Sequence, residues 1–119
     1  MDARTVFARF AEKRIAPYRD LHERREFPED LWSAMAEERL FGIGLPEAYG
    51  GWPDEHPARL VDAGRGLVEN GGSMGVGLAW LIHVMTGRYL VARFGTPGQK
   101  ERYLADLAAG AKTACFAVS

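Results

Sequence analysis

Apolar and polar positions alternate with different periods along this chain, and each change of period marks an element. The longest element is Ser73 to Phe94, where only His83 is polar between Met74 and Met85. That pattern predicts a helix with no face left to water, which belongs inside a bundle or a membrane. The run falls short of the roughly 20 apolar residues a bilayer needs, so a central bundle helix is expected, ~33 Å long for the whole stretch. Gly75, Gly77 and Gly87 lie within it. Each costs roughly 1 kcal/mol against alanine in a helix, which points to a neighbour or ligand close to the backbone.

The flanking segments also read as helices. Asp2 is placed to cap a first helix whose apolar positions Phe7, Ala11, Ile15 and Tyr18 recur at helical spacing, with Val6, Phe10 and Leu21 beside them. Pro17 should interrupt it near Ala16. A second helix opens at FPEDLW with Pro28 at the first position, buries Leu31, Trp32, Met35 and Ala36, and is expected to end at Gly42. The stretch Ile43 to Gly51 is a loop rich in proline and glycine, with Leu45 and Tyr49 docking on the core. A third helix, residues 57–70, is expected to bury Leu60, Val61, Gly64, Leu67 and Val68 before Gly71 and Gly72 break it. After Gly95, Thr96, Pro97 and Gln99 form a capping box for a last helix whose stripe is Tyr103, Leu104, Leu107 and Ala108, closed by Gly110. From Thr113 to Ser119 the period drops to two, a strand pattern with no second strand to pair with.

Composition narrows the function classes. The chain has 119 residues, 15 basic and 16 acidic side chains, and no basic block, which argues against nucleic-acid binding. Its N-terminus mixes charge with apolar residues, so no signal peptide is read there. The single cysteine, Cys115, excludes an internal disulfide, fits a cytoplasmic setting, and without a partner base is expected to be inert packing. His22 and Glu23 lack the second histidine of a zinc helix. The glycines at 71, 72, 75 and 77 lack the spacing and the following lysine of a phosphate loop.

The series FPEDLW, LFGIGLPEAYGG, FGTPGQKERYLADLAAG and CFAVS resembles the N-terminal helical domain of the acyl-CoA dehydrogenase superfamily, across residues 7–119. LPEAYGG and FGTPGQKERYL are its specific pieces, and His83, 12 residues before Gly95, sits where many relatives carry a histidine. Arg39-Leu40 is a departure, since relatives commonly have glycine before that leucine. The resemblance implies an all-α bundle of about five to six helices over residues 1–111, with residues 112–119 as the first strand of a middle β-domain. A C-terminal four-helix bundle would complete such an enzyme, with FAD between the last two domains. It further implies acyl-thioester α,β-dehydrogenation. The apolar central helix and the unpaired edge of the Thr113–Ser119 strand lead us to expect a homo-oligomer or pairing with a partner chain, and the shortness of the apolar run no membrane span. The catalytic carboxylate and the Glu-Pro-x-x-Gly-Ser-Asp segment belong to parts beyond Ser119. Residues 1–119 alone are therefore expected neither to turn over substrate nor to hold FAD.

Residue by residue, the resemblance places the acyl-chain floor at Leu78, Ala79, Ile82 and His83. These positions fall at i, i+1, i+4 and i+5, one face of a helix. It places the flavin edge at Phe116, Val118 and Ser119, the last through a hydroxyl able to bond a flavin carbonyl or ring nitrogen. No catalytic residue and no metal ligand is assigned. Plain core is the competing reading for the helix face, and equally so for His83. Two other readings stay open: a related flavin monooxygenase or oxidase, which shares the helical domain, and, from a different class, a non-catalytic helical module that binds a partner chain.

Overall fold

In the computed structural model, which describes every residue except 1, 19, 21, 22, 24–26 and 53–57, the described chain is helical. Asp2 caps α1 (Ala3–Phe10), its carboxylate accepting from the Thr5 amide at 3.0 Å. The helix runs on as a π-helical turn, Ala11–Ile15, closed by the Ala16 amide on the Ala11 carbonyl at 2.9 Å. Pro17 has no amide hydrogen to continue the ladder, so the helix stops there. The expected flanking position Leu21, like His22, lies outside the described residues.

α2 (Glu29–Glu37) begins one residue later than expected, with Pro28 in the capping position. Leu31 and Met35 are fully buried, and Trp32 and Ala36 pack against the same core. Gly42 does not end this helix. The chain leaves it at Arg39, which adopts a left-handed φ of 61°. The Leu40 amide then reaches the Met35 carbonyl (3.0 Å) and the Arg39 amide the Ala36 carbonyl (2.9 Å), the paired bonds of a Schellman cap. An L-residue there costs roughly 1–2 kcal/mol. The Arg39 guanidinium offsets part of it by donating to the carbonyls of Gly50 (3.2 Å) and Gly51 (3.1 Å). Arg39→Gly removes both strain and bonds and should leave stability within about 1 kcal/mol of the parent. Arg39→Ala keeps the strain and loses the bonds, so it should unfold about 1 kcal/mol more easily than the glycine variant. Denaturant curves of the two side by side check this; equal midpoints would show that the φ carries no strain.

α3 (Ala58–Gly71) crosses α1 closely, because a Cβ on Gly66 would stand only 2.6 Å from the Arg4 carbonyl oxygen. The expected start at Pro57 lies outside the described residues. Its buried face carries Ala63, Gly66, Leu67 and Gly71. Val61, expected inside, is 62% exposed, since that face turns it to the opposite side.

The central rod is α4 (Met74–Leu81), a π-helical segment Ile82–Arg88, and α5 (Tyr89–Phe94). Trp80 is its innermost residue, fully buried, with its indole donating to the Leu40 carbonyl at 2.9 Å and the edge of its ring meeting Phe7. The expectation that no face is left to water is corrected here. α3 and α6 cover one side only, and Met74, Leu78, Leu81, Met85, Leu90 and Phe94 form an exposed row. Gly77 receives Val68 of α3 and Gly87 receives Ala114, so both are close approaches; Gly75 is not, its nearest neighbour being Ser73 Oγ at 3.9 Å. By length and hydropathy alone Met74–Phe94 would pass for a membrane span (21 residues, mean hydropathy 1.2). Its packing against α3 and α6, with His83 and Arg88 buried inside, is that of a bundle helix.

α6 (Pro97–Ala108) has the complete capping box: Thr96 Oγ1 accepts from the Gln99 amide (3.2 Å) and Gln99 Oε1 from the Thr96 amide (2.9 Å). Leu104 and Ala108 join Leu45 in a second small core, against which Tyr49 and Val91 pack, so the LPEAYGG loop docks as expected. Gly110 ends the helix at φ 72°. The strand expected over Thr113 to Ser119 does not form among the described residues: the segment is irregular, and a ladder needs a partner strand.

Candidate functional site

A cavity of about 680 Å³ opens between the start of α2, the junction of α4 with the π-helical segment, and the chain after α6. Phe27, Trp32, Ala79, Ile82 and Ala114 supply its apolar lining, with Glu29, Ser33 and Thr113 as the polar positions. Helical spacing brings Ala79 and Ile82 onto one face. Trp32 is held upright by its neighbours, meeting Phe27 edge-on (5.7 Å between centroids), Phe41 at 4.4 Å and His83 edge-on at 5.4 Å. Among the predicted residues, Ala79 and Ile82 are thus brought together. Leu78 is turned outward, 51% exposed, and does not line the cavity.

His83 stands behind the wall rather than in it, and is 1% exposed. Its Nε2 lies 2.8 Å from the Leu107 carbonyl, and its Nδ1 lies 3.1 Å from the Ala114 amide. A carbonyl only accepts and an amide only donates, so the proton belongs on Nε2 and the ring is neutral. Burial lowers its pKa below the usual 6.5; the Leu107 bond opposes this, and the Arg88 charge adds to it. Neither ring nitrogen is left for a substrate.

Sequence reasoning did not single out Arg88. It is 2% exposed, its Nη1 donates to the Phe41 carbonyl, and its Nε is buried without a hydrogen-bond partner. Burial lowers its pKa to about 10, so it is still a cation at neutral pH. The only signal in the sequence is an arginine beside a glycine at the end of a largely apolar run. Phe27, Trp32, Thr113 and Ala114 were equally unforeseen as lining, because two segments remote from the central helix in sequence deliver them.

The residues after Ala114 stand away from the bundle. Phe116 is 60% and Val118 76% exposed, and Ser119 is exposed too. Cys115, expected to pack, is an exposed free thiol, because the segment that carries it touches the bundle chiefly through Ala114. A second cavity of about 310 Å³, lined by Val6, Phe10, Lys13, Arg14 and their neighbours, contains none of the predicted site residues.

Comparison with known proteins matches residues 2–111 to the family model described as acyl-CoA dehydrogenase, N-terminal domain. Curated relatives include an acyl-CoA dehydrogenase of Bacillus subtilis, 34% identical over 92% of this chain and 28% of its own length. A mitochondrial isovaleryl-CoA dehydrogenase of Solanum tuberosum is 34% identical over 94% of this chain and 27% of its own. A 3-(aryl)acrylate reductase of Clostridium sporogenes is 32% identical over 92% and 29%. The chain therefore spans less than a third of these relatives. Among solved structures, a probable acyl-CoA dehydrogenase from Mycobacterium abscessus superposes with a TM-score of 0.73 at 32% identity, covering 91% of this chain and 28% of that one. A chain from a study of the electron transferring flavoprotein of Acidaminococcus fermentans superposes at 0.80 with 30% identity, covering 93% and 29%. With the family model spanning nearly the whole bundle and the structures agreeing on its shape, the chain belongs to the acyl-CoA dehydrogenase N-terminal domain family.

Proposed function

We propose that this chain is the helical domain of a flavin-dependent acyl-CoA dehydrogenase and that its cavity takes the acyl tail of the thioester undergoing α,β-dehydrogenation. The observation that carries this is the cavity itself, in a member of this family, with the small side chain of Ala79 leaving room beside Ile82, Phe27 and Trp32. These side chains bind apolar carbon, exclude water from it and fix its direction. Glu29 is exposed at the first turn of α2, and we assign no proton transfer to it or to His83. The abstracting base belongs to another part of the enzyme.

FAD fits this chain along one edge only. Phe116 and Val118 are exposed and apolar enough to lie against a flat ring, and the Ser119 hydroxyl is free to bond one of its polar atoms. Bound FAD supplies the acceptor for the β-hydride. The exposed row on α4 and α5, from Met74 to Phe94, supports burial of this face in the assembled enzyme, against its remaining domains or a second subunit.

The test is thioester-dependent reduction of an electron acceptor by the assembled flavoprotein. Oxidation of saturated acyl-CoA is the expected result; a flavin-loaded protein that oxidises no acyl thioester of any length would end this reading. The reductase among the relatives favours a second one, reduction of a 3-arylacrylate, which the same preparation decides when assayed with a reduced donor.

A further inference from the structure

The helix that walls the cavity also holds the segment leaving α6, and it does so through two residues on one face. His83 and Gly87 are four apart in the π-helical segment, so both face the same neighbour. That neighbour is Ala114. Its amide donates to His83 Nδ1 at 3.1 Å, and its methyl occupies the space that a Cβ on Gly87 would fill. The other ring nitrogen of His83 donates to the Leu107 carbonyl in the last turn of α6, at 2.8 Å. One buried ring therefore ties the end of α6 and the start of the next segment to the same point on the central helix.

We propose that His83 and Gly87 form a latch that seats Ala114 and so positions residues 115–119. In this arrangement His83 is a positioning residue and not a ligand of the substrate. The latch stands on the hydrogen bonds and the notch alone. Its consequence for catalysis, orienting Phe116, Val118 and Ser119 toward the flavin, rests on the functional reading above.

The latch has a required protonation state. Nδ1 accepts from an amide only while it carries no proton; a protonated ring would set one N–H against another. The groups around His83 favour the neutral form. Trp32 of α2 and Phe41 of the following loop are uncharged and meet the ring in T-shaped contacts, and Arg88 on its own helix is a buried cation. On α6, Asp106 is already paired with Lys112 at 3.0 Å, and Glu29 lies exposed on the cavity rim. The folded-state pKa is depressed, so the contribution is complete above 6.5 and is lost as the pH falls from there through the folded value.

The experiment is amide hydrogen exchange on residues 1–119, read at Ala114, with the His83 tautomer read from its ring nitrogen shifts. Above pH 7 the Ala114 amide should exchange about fivefold or more slowly than in an unstructured chain, with the proton on Nε2. Acidification should abolish that protection before the helices lose theirs. Gly87→Ala, which fills the notch and leaves the ring intact, should abolish it at every pH. His83→Phe should do the same while α6 stays protected. Should His83→Phe fail to fold, Gly87→Ala and the pH series still decide the matter. Unprotected Ala114 in the parent at pH 8, or protection unmoved by Gly87→Ala, overturns the latch. No flavin or thioester is needed, so failure of the acyl-CoA reading and failure of the latch are separate results.

Discussion

Ala79→Leu in the assembled enzyme is expected to lower kcat/KM for long acyl thioesters about thirtyfold and to leave short ones nearly unchanged. The substitution adds an isopropyl group at a residue that lines the cavity and is only part-buried. The new carbons therefore project into open volume rather than into the bundle. They displace about two or three methylenes of substrate, and at ~0.8 kcal/mol per buried methylene the loss is roughly 2 kcal/mol. A short tail never reaches that depth and loses nothing. Leu78→Ala is the control on the neighbouring position: Leu78 points outward, so its truncation should leave the chain-length profile as it was. A chain-length series together with a melting curve checks both. If Ala79 were ordinary core, overpacking would cost roughly 1–3 kcal/mol of stability and depress every substrate alike. Uniform loss with a lowered melting temperature would therefore remove Ala79 from the pocket.

The parts of this fold that were legible in the sequence are those set by local chemistry. The caps at Asp2 and Thr96, the stop at Pro17 and the turn at Gly110 each depend on residues within a turn of one another. The parts that were not legible depend on what lies across from a residue. Hydropathy marks Met74, Leu78 and Phe94 as apolar but cannot say that α3 and α6 sit on the other side of the helix. It likewise cannot rotate Val61 away from α1. The helix end at Arg39 was missed because local rules favour glycine there, and the arginine is held instead by carbonyls 11 and 12 residues further along the chain. Thr113 to Ser119 has strand periodicity, but pairing is not a local property. The site divides the same way. Ala79 and Ile82 follow from helical spacing and the family resemblance, whereas Phe27, Trp32 and Ala114 meet them only in three dimensions. His83 was placed on the correct helix, yet its role turns on a carbonyl and an amide contributed 24 and 31 residues later.

Gly51→Ala in the LPEAYGG loop is expected to be the most severe of the glycine-to-alanine changes among the described residues, and two other glycines calibrate it. Gly51 is buried, and a Cβ there would overlap the Leu45 carbonyl, a backbone group that cannot swing aside as a side chain would. Its amide is bonded to the Pro46 carbonyl at 3.0 Å and its carbonyl accepts from Arg39 at 3.1 Å, so Gly51 itself is held on both sides. Room can be made only by moving Leu45, which is 1% exposed and seated against Leu104 and Ala108. The change should therefore cost about 3 kcal/mol or more, at the upper end of what single substitutions do. Gly50, one residue earlier, has φ 82° and open space around it, with only Ala108 Cβ at 3.9 Å. Gly50→Ala should cost only the left-handed strain, roughly 1–2 kcal/mol. Gly98 lies in the first turn of α6 with nothing within 4 Å of a Cβ, and Gly98→Ala should stabilise by up to about 1 kcal/mol. Denaturant unfolding of the three variants should therefore order them as Gly98→Ala, parent, Gly50→Ala and Gly51→Ala, from most to least stable. If Gly51→Ala unfolds together with Gly50→Ala, the second glycine of the motif serves turn geometry alone, and the close seating of the loop on Leu45 is not what it protects.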